Sequence, residues 1–181
     1  MSEHALIMAL PNESKGLFEA QGIDVHYSGI GKVNAAFKAF EVIQNTGCKT
    51  LLNLGTAGSS HFEVSHFVQR DMDVSPLGFD VGLTPMDQHF PGAIELEPFF
   101  DHLPKGICGT GDSFETGQPK VPCQLVDMEG YALAKVCKKL GVRLISVKYI
   151  TDGANDTAHL DWEENLLLGA QKLLFLYQML K

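Results

Sequence analysis

Positive charge is sparse in this sequence, and what there is lies scattered. Fourteen Lys and Arg stand against twenty-two Asp and Glu in 181 residues, giving a net charge of −8 and a pI near 5.3. Nucleic-acid backbones and anionic membranes both reward clustered Lys and Arg, so neither is expected as the main partner. Cysteine is also scarce: Cys48, Cys108, Cys123 and Cys137 form no CxxC pair and no regular framework. A chain of this length needs no disulfide staples, so free, mostly buried thiols in a reducing compartment are expected. No apolar run approaches the roughly twenty residues of a membrane span. The start, Met1-Ser2-Glu3-His4, lacks the basic segment and long apolar stretch of a secretion signal, which makes the cytoplasm the expected location. His61 and His66 stand five apart and His159 is isolated, so metal-ligand spacing is missing, and no metal or cofactor is expected. Internal repeats and low-complexity tracts are missing as well.

What is present is enough apolar material for a core. Hydrophobic residues make up 45% of the chain, and the length favours a single domain over 1–181. Strand-like and helix-like patterns alternate. Ala5–Ala9 reads as a strand, and Pro11-Asn12-Glu13-Ser14 as a turn into a helix to about Gln21. Val25–Ser28 reads as a strand, followed by a helix over Val33–Thr46 with Val33, Ala36, Phe37, Phe40, Val42 and Ile43 mostly on one side. Further strands are expected at Lys49–Leu54, Phe62–Gln69, Gly106–Gly109 and Val142–Ile150. A helix ending near Leu140 precedes the last of these, and a long packing helix over Leu160–Met179, with Asp161 as N-cap, closes the chain. The alternation predicts an α/β fold, a three-layer α/β/α sandwich around a mixed central β-sheet.

Two acidic segments fall at the ends of these elements. Val126-Asp127-Met128-Glu129-Gly130 opens a helix, and Ile150-Thr151-Asp152-Gly153 ends a strand. Open α/β sheets bind ligands at such ends. Gly29-Ile30-Gly31-Lys32 lacks the GxxxxGK[ST] spacing and the third glycine of a dinucleotide fingerprint, so it reads as a tight turn packing a helix on the sheet. Taken singly, each candidate has a structural reading. Glu13 can be a helix-start acid stabilised by the dipole, Asp152 a turn former, Met128 and Phe114 core residues, and Trp162 a core anchor.

In order along the chain, Glu13, Ser28-Gly29-Ile30-Gly31-Lys32-Val33, Asn53-Leu54-Gly55-Thr56-Ala57-Gly58, Gly111-Asp112-Ser113-Phe114, Asp127-Met128-Glu129-Gly130 and Thr151-Asp152 resemble the purine nucleoside phosphorylase and nucleosidase superfamily. The branch they resemble most is 5′-methylthioadenosine/S-adenosylhomocysteine nucleosidase. The resemblance implies a nucleoside phosphorylase-like fold and cleavage of the N-glycosidic bond of a small purine nucleoside, passing through an oxocarbenium-like sugar.

By the same resemblance, Asp152 protonates or hydrogen-bonds N7 of the leaving base, a role that calls for a carboxyl kept protonated by burial. Glu129 accepts from both ribose hydroxyls, Met128 packs on the sugar beside Asp127, and Glu13 activates the attacking water. Phe114 stacks on the base and the Glu115 backbone reads its edge, a place where the family more often has an apolar side chain. Ile30 lines the sugar pocket, Thr56 offers a hydroxyl to water or a small anion, and Trp162 stands near the base or the 5′ group. Phosphorylases of the superfamily usually carry an arginine where this chain has Asn53, and no arginine precedes Arg70. A phosphate dianion needs guanidinium donors, so hydrolysis is expected. Lys148 stands where nucleosidases often have Arg. The chain departs from the family pattern between Glu13 and Ser28, where only fourteen residues intervene and a hairpin is missing. Asp71-Met72-Asp73-Val74 resembles a segment near the family's dimer contact, so a homodimer is expected, with Phe79 or Phe90 capping the partner's 5′ pocket. Alternatives are a phosphorylase, a futalosine-type hydrolase, or a binding protein of the same fold without turnover.

Overall fold

The computed structural model describes residues 3–58, 62–152 and 158–180, without the side chains of 58, 62, 150–152 and 158–164. In chain order the elements are β1 (His4–Met8), the single helical turn α1 (Pro11–Ser14), β2 (Val25–Tyr27), α2 (Lys32–Thr46), β3 (Thr50–Gly58), β4 (Phe62–Gln69), β5 (Ile94–Glu95), β6 (Lys105–Thr110), β7 (Leu125–Asp127), α3 (Gly130–Leu140), β8 (Arg143–Asp152) and α4 (Ala158–Gln178). The strands form one mixed eight-stranded sheet. β2, β1, β3 and β8 run parallel. β4 lies antiparallel to β8 and parallel to β6, β6 is parallel to β7, and β7 returns antiparallel to β3. These pairings close a circuit, β3-β8-β4-β6-β7-β3. The sheet is therefore strongly curled at this end, and the ends of β3, β7 and β8 are brought together.

Alternation along the strands feeds two cores. Leu51 of β3 faces α2 and α3, packing with Ala35, Ala39, Val42, Ile43, Leu133 and Cys137. Leu52 and Leu54 face the other way, toward Phe18, Leu173, Leu174 and Tyr177. The helices thus flank both faces of the sheet, as the alternating pattern predicts.

Three expectations are corrected and two strands are added. The first helix is one turn, because Lys15 at its C-cap and Gly16 both take positive φ; a separate 3-10 turn covers Glu19–Gln21. On α2 the buried residues are Ala35, Ala39, Val42 and Ile43, whereas Val33, Phe37 and Phe40 are exposed. The small alanines let the helix lie close to the sheet and α3, which sends the larger side chains outward. α4 begins at Ala158, so Asp161 lies inside the helix rather than capping it. Its apolar residues also divide, with Leu166, Leu173 and Leu174 buried and Leu167 and Leu168 exposed. Finally, β5 and β7 are too short to carry an alternation and gave no strand signal. Among the described residues no helix is long and apolar enough to cross a membrane.

Candidate active site

Glu13 is held from two sides. As the third residue of α1 it reaches back to the chain entering the turn, where Oε2 accepts from the N–H groups of Ala9 (2.9 Å) and Leu10 (3.1 Å). Its other oxygen, Oε1, accepts from the Thr56 N–H and the Thr56 hydroxyl, both at 2.8 Å. The residue is only 5% exposed, which excludes the reading as a solvated helix-start acid. α1 and the end of β3 therefore share one buried carboxylate.

A second group of buried charges stands at the end of β7. Asp127 Oδ1 accepts from the Thr110 hydroxyl at 2.6 Å, and Oδ2 accepts from the Gly130 N–H at 2.9 Å. Lys148, from β8, places Nζ 2.9 Å from the same Oδ2. Glu129 follows one residue past Met128, and its Oε1 accepts from the Gly31 N–H at 3.0 Å. The glycine turn that resembled a phosphate loop thus serves to fix Glu129. Only glycine fits at 130, since a Cβ there would lie 2.0 Å from Phe67 Cε1 and 2.7 Å from Asp127 Oδ2. That lets α3 start flush against β4 and presents Met128 and Glu129 at its head.

The electrostatics follow from this crowding. Burial raises the Glu129 carboxyl, the nearby Asp127 charge raises it further, and Lys148 and the Gly31 N–H oppose them only partly, leaving it at about 7. Burial pulls the Lys148 ammonium down, but the adjacent Asp127 carboxylate, with Cys108 and Glu129 nearby, outweighs it and holds Lys148 above its usual range. Lys148 is therefore a cation locked onto Asp127. A Cβ built on Gly55 would stand 3.2 Å from Glu13 Oε1 and 3.6 Å from Lys148 Nζ, so the two charged groups border the same patch of β3 backbone. Asn53, two residues earlier, is buried and engaged within the sheet: its Oδ1 accepts from the Ser146 hydroxyl at 2.8 Å.

The segment Gly111–Glu115 forms the neighbouring wall. Asp112 Oδ1 accepts from the Lys32 N–H at 2.8 Å, and Asp71 Oδ2 accepts from the Asp112 N–H at 2.8 Å. Lys32 Nζ closes this clasp 2.6 Å from Asp71 Oδ1. It joins the glycine turn, and so Glu129, to the segment that carries Phe114. Phe114 and Ile30 are about half exposed, at 54% and 49%, while Met128 and Thr56 are partly buried. The Glu115 carboxylate is turned away to Arg70, at 3.0 Å.

Asp152 ends β8 in register with Gly58, just past an irregularity in the β3 pairing. Its backbone thus stands at the strand ends that hold Thr56 and Lys148. The side chains of Asp152 and Trp162 lie outside the described residues, as does His159. Among the residues described, the structure brings Glu13, Thr56, Asp127, Met128 and Glu129 to one end of the sheet. Sequence reasoning missed Lys32, Arg70, Asp71 and Asp112 as parts of the site's frame. Asp71 was visible in the Asp-x-Asp-Val segment, but nothing in the spacing pointed to Lys32 thirty-nine positions away. Asp73 instead pairs with Lys120 at the surface.

Comparison with known proteins places the chain in a family. Residues 15–174 match the Phosphorylase superfamily. The chain belongs to that superfamily. Within it, the sequence is 30% identical to the 5′-methylthioadenosine/S-adenosylhomocysteine nucleosidase of Marinomonas sp. strain MWYL1, over 92% of this chain and 84% of the relative. It is 28% identical to the aminodeoxyfutalosine nucleosidase of Campylobacter jejuni, over 80% of this chain and 74% of that one. The crystal structure of a Helicobacter pylori 5′-methylthioadenosine/S-adenosylhomocysteine nucleosidase, solved with butyl-thio-DADMe-Immucillin-A, superposes with a TM-score of 0.89. It covers 99% of this chain and 98% of that one at 23% identity, a likeness of fold.

Proposed function

We propose that the protein is a purine nucleosidase that hydrolyses the N-glycosidic bond of a 5′-modified adenosine, releasing the free base and the ribose derivative. The observation that carries this is the buried Glu13 carboxylate, fixed on Thr56 at the end of β3 beside the Glu129 and Asp127–Lys148 group. Water held beside the Glu13–Thr56 pair loses a proton to Glu13 as it attacks the anomeric carbon. Glu129 accepts from the ribose hydroxyls, which orients the sugar and favours positive charge on its ring. Asp152, ending β8 on the same side, delivers a proton to N7 of the departing base. Phe114 stacks on that base, with the Glu115 backbone along its edge. Met128 and Ile30 pack on the sugar, and Trp162 lies toward the base or the 5′ group.

Three features favour water over phosphate. Asn53 is uncharged and bonded to Ser146, Lys148 is neutralised by Asp127, and Arg70 is spent on the segment 111–115. No fixed guanidinium is left for a dianion. The relatives named above act, by their names, on methylthioadenosine, S-adenosylhomocysteine or aminodeoxyfutalosine, and these are the substrates to try first. The test offers each of them, with adenosine and inosine, to the purified protein with and without phosphate. Free base and free sugar, independent of phosphate, are expected; ribose 1-phosphate formed only with phosphate would overturn the reading.

We also infer a homodimer working in the cytoplasm. The exposed stripe of Val33, Phe37 and Phe40 on α2 continues from Ile30 beside the site, an apolar face suited to a second copy.

A further inference from the structure

Arg70 has no part in the chemistry above, yet it is one of the most heavily committed side chains in the molecule. It follows β4 directly, its backbone N–H donates to the Thr110 carbonyl at 3.0 Å, and its side chain is 5% exposed. From that slot the guanidinium meets Gly111–Glu115 at four points. Nη1 donates to the Ser113 hydroxyl at 3.1 Å and to Glu115 Oε2 at 3.0 Å. Nη2 donates to the Gly111 carbonyl at 3.4 Å and to the Ser113 carbonyl. Nε is buried and has no partner, so the group is not placed to satisfy itself; it is placed where the segment needs it. The slot exists because its wall is glycine: a Cβ on Gly111 would stand 2.8 Å from Arg70 Cζ. A buried guanidinium is costly to install and stabilises a fold less than apolar packing does. What it supplies here is a planar fork that pins several acceptors at once.

We propose that Arg70 is the positioning residue of the base subsite. Seated under the segment 111–115, it holds Phe114 in place for stacking on the base and draws the Glu115 carboxylate aside, so that only the Glu115 backbone faces the base edge. Without this fork, the two carbonyls and the carboxylate it neutralises repel one another and the segment loosens. A negative side chain then swings beside the base. More than half of Phe114 is exposed, so its place depends heavily on the segment beneath it. Loosening therefore falls on stacking first, while Glu129 keeps its bond to the Gly31 N–H and Glu13 its bonds to Thr56.

This inference rests on the reading of Phe114 as the base-stacking ring, and free adenine separates it from turnover. Isothermal titration measures adenine binding to the parent, Arg70→Met, Arg70→Lys, Phe114→Ala and the Arg70→Met/Phe114→Ala double variant. Loss of base stacking weakens binding severalfold to a hundredfold, so Arg70→Met and Phe114→Ala are each expected to raise Kd about tenfold. Because both act through one ring, the double variant is expected to lie within about twofold of either single one. Arg70→Lys keeps the charge and loses the fork, with an expected rise of about threefold. In turnover, Arg70→Met raises KM while kcat changes less than about threefold. If Arg70→Met does not fold, Arg70→Lys decides. Variants of Arg70 that bind adenine within the error of the parent, single effects that multiply to about a hundredfold in the double variant, or a parent that binds no adenine each overturn the proposal. A parent that binds adenine but releases no base from any nucleoside overturns the nucleosidase reading instead, and leaves the effect of Arg70 on binding to be read from the same titrations.

Discussion

The two walls of the site are built on opposite principles. On one side, Glu13, Asp127, Glu129 and Lys148 are all less than a tenth exposed, and each is tied to backbone N–H groups, a threonine hydroxyl or another charge. On the other, Ile30 and Phe114 offer bare apolar surface, steadied only by the segments beneath them. Charges taken out of water must be satisfied before any ligand arrives, because an unpaired buried charge is too costly to keep. Apolar surface carries no such requirement, so it can stay open until a base or a second protein copy covers it. The charged wall therefore belongs to the framework and the apolar wall to the ligand.

Breaking the charged wall is expected to cost most. In the proposed mechanism Glu13→Gln removes the base that takes the proton of water, so kcat is expected to fall by about 10²–10⁴-fold in steady-state assays. Turnover close to that of the parent would show that Glu13 serves only to tie α1 to β3. Next comes Lys148→Met, which leaves Asp127 buried without its counter-charge. Removing one partner of such a pair costs about 3–5 kcal/mol, so the urea midpoint should drop sharply; an unchanged midpoint would mean that the pair adds nothing to the fold.

The same wall sets a pH dependence. In its proposed role Glu129 accepts from both ribose hydroxyls at once, which the ionised carboxylate does best, and its carboxyl is raised to about 7 in the free protein. kcat/KM is therefore expected to rise with pH through that value, and Glu129→Gln should lack this limb. Stability moves the other way. With the folded carboxyl raised above its ordinary 4.5, the folded state holds a proton that the unfolded chain gives up, so this contribution is full below the ordinary value and is lost as pH rises toward 7. Melting curves from pH 4.5 to 7 check the sign, and Glu129→Gln should remove that slope.

The smallest effect is expected on the open wall. Phe37 is 74% exposed, and Phe37→Glu should change the stability of an isolated chain by no more than about 0.5 kcal/mol. Light scattering should nevertheless report a shift from dimer to monomer. A parent that is already monomeric would assign the α2 stripe to some other cover.

How much of this was legible beforehand depended on range. Alternation and element order were readable because periodicities of two and near four are local, and so the layers were anticipated correctly. The acids at element ends were readable for the same reason: Glu129 heads α3 and Asp152 ends β8. The outward face of α2 was not, since Val33, Phe37 and Phe40 look as apolar as the buried Ala35, Ala39, Val42 and Ile43. Only the neighbours decide which side is covered. Nor was Arg70 readable, because its partners lie more than forty residues on and become neighbours only through the β4–β6 pairing.

The sequence by itself determined most of the elements, the acids at their ends and the superfamily, since each is written in local pattern and residue type. The tertiary structure alone decided the pairings: Glu13 with Thr56, Asp127 with Lys148, Glu129 with Gly31, and Arg70 with the segment that carries Phe114. The physical reason is that the curled sheet brings distant strand ends within hydrogen-bond reach, and burial there makes every charge answer to a partner the local sequence does not contain.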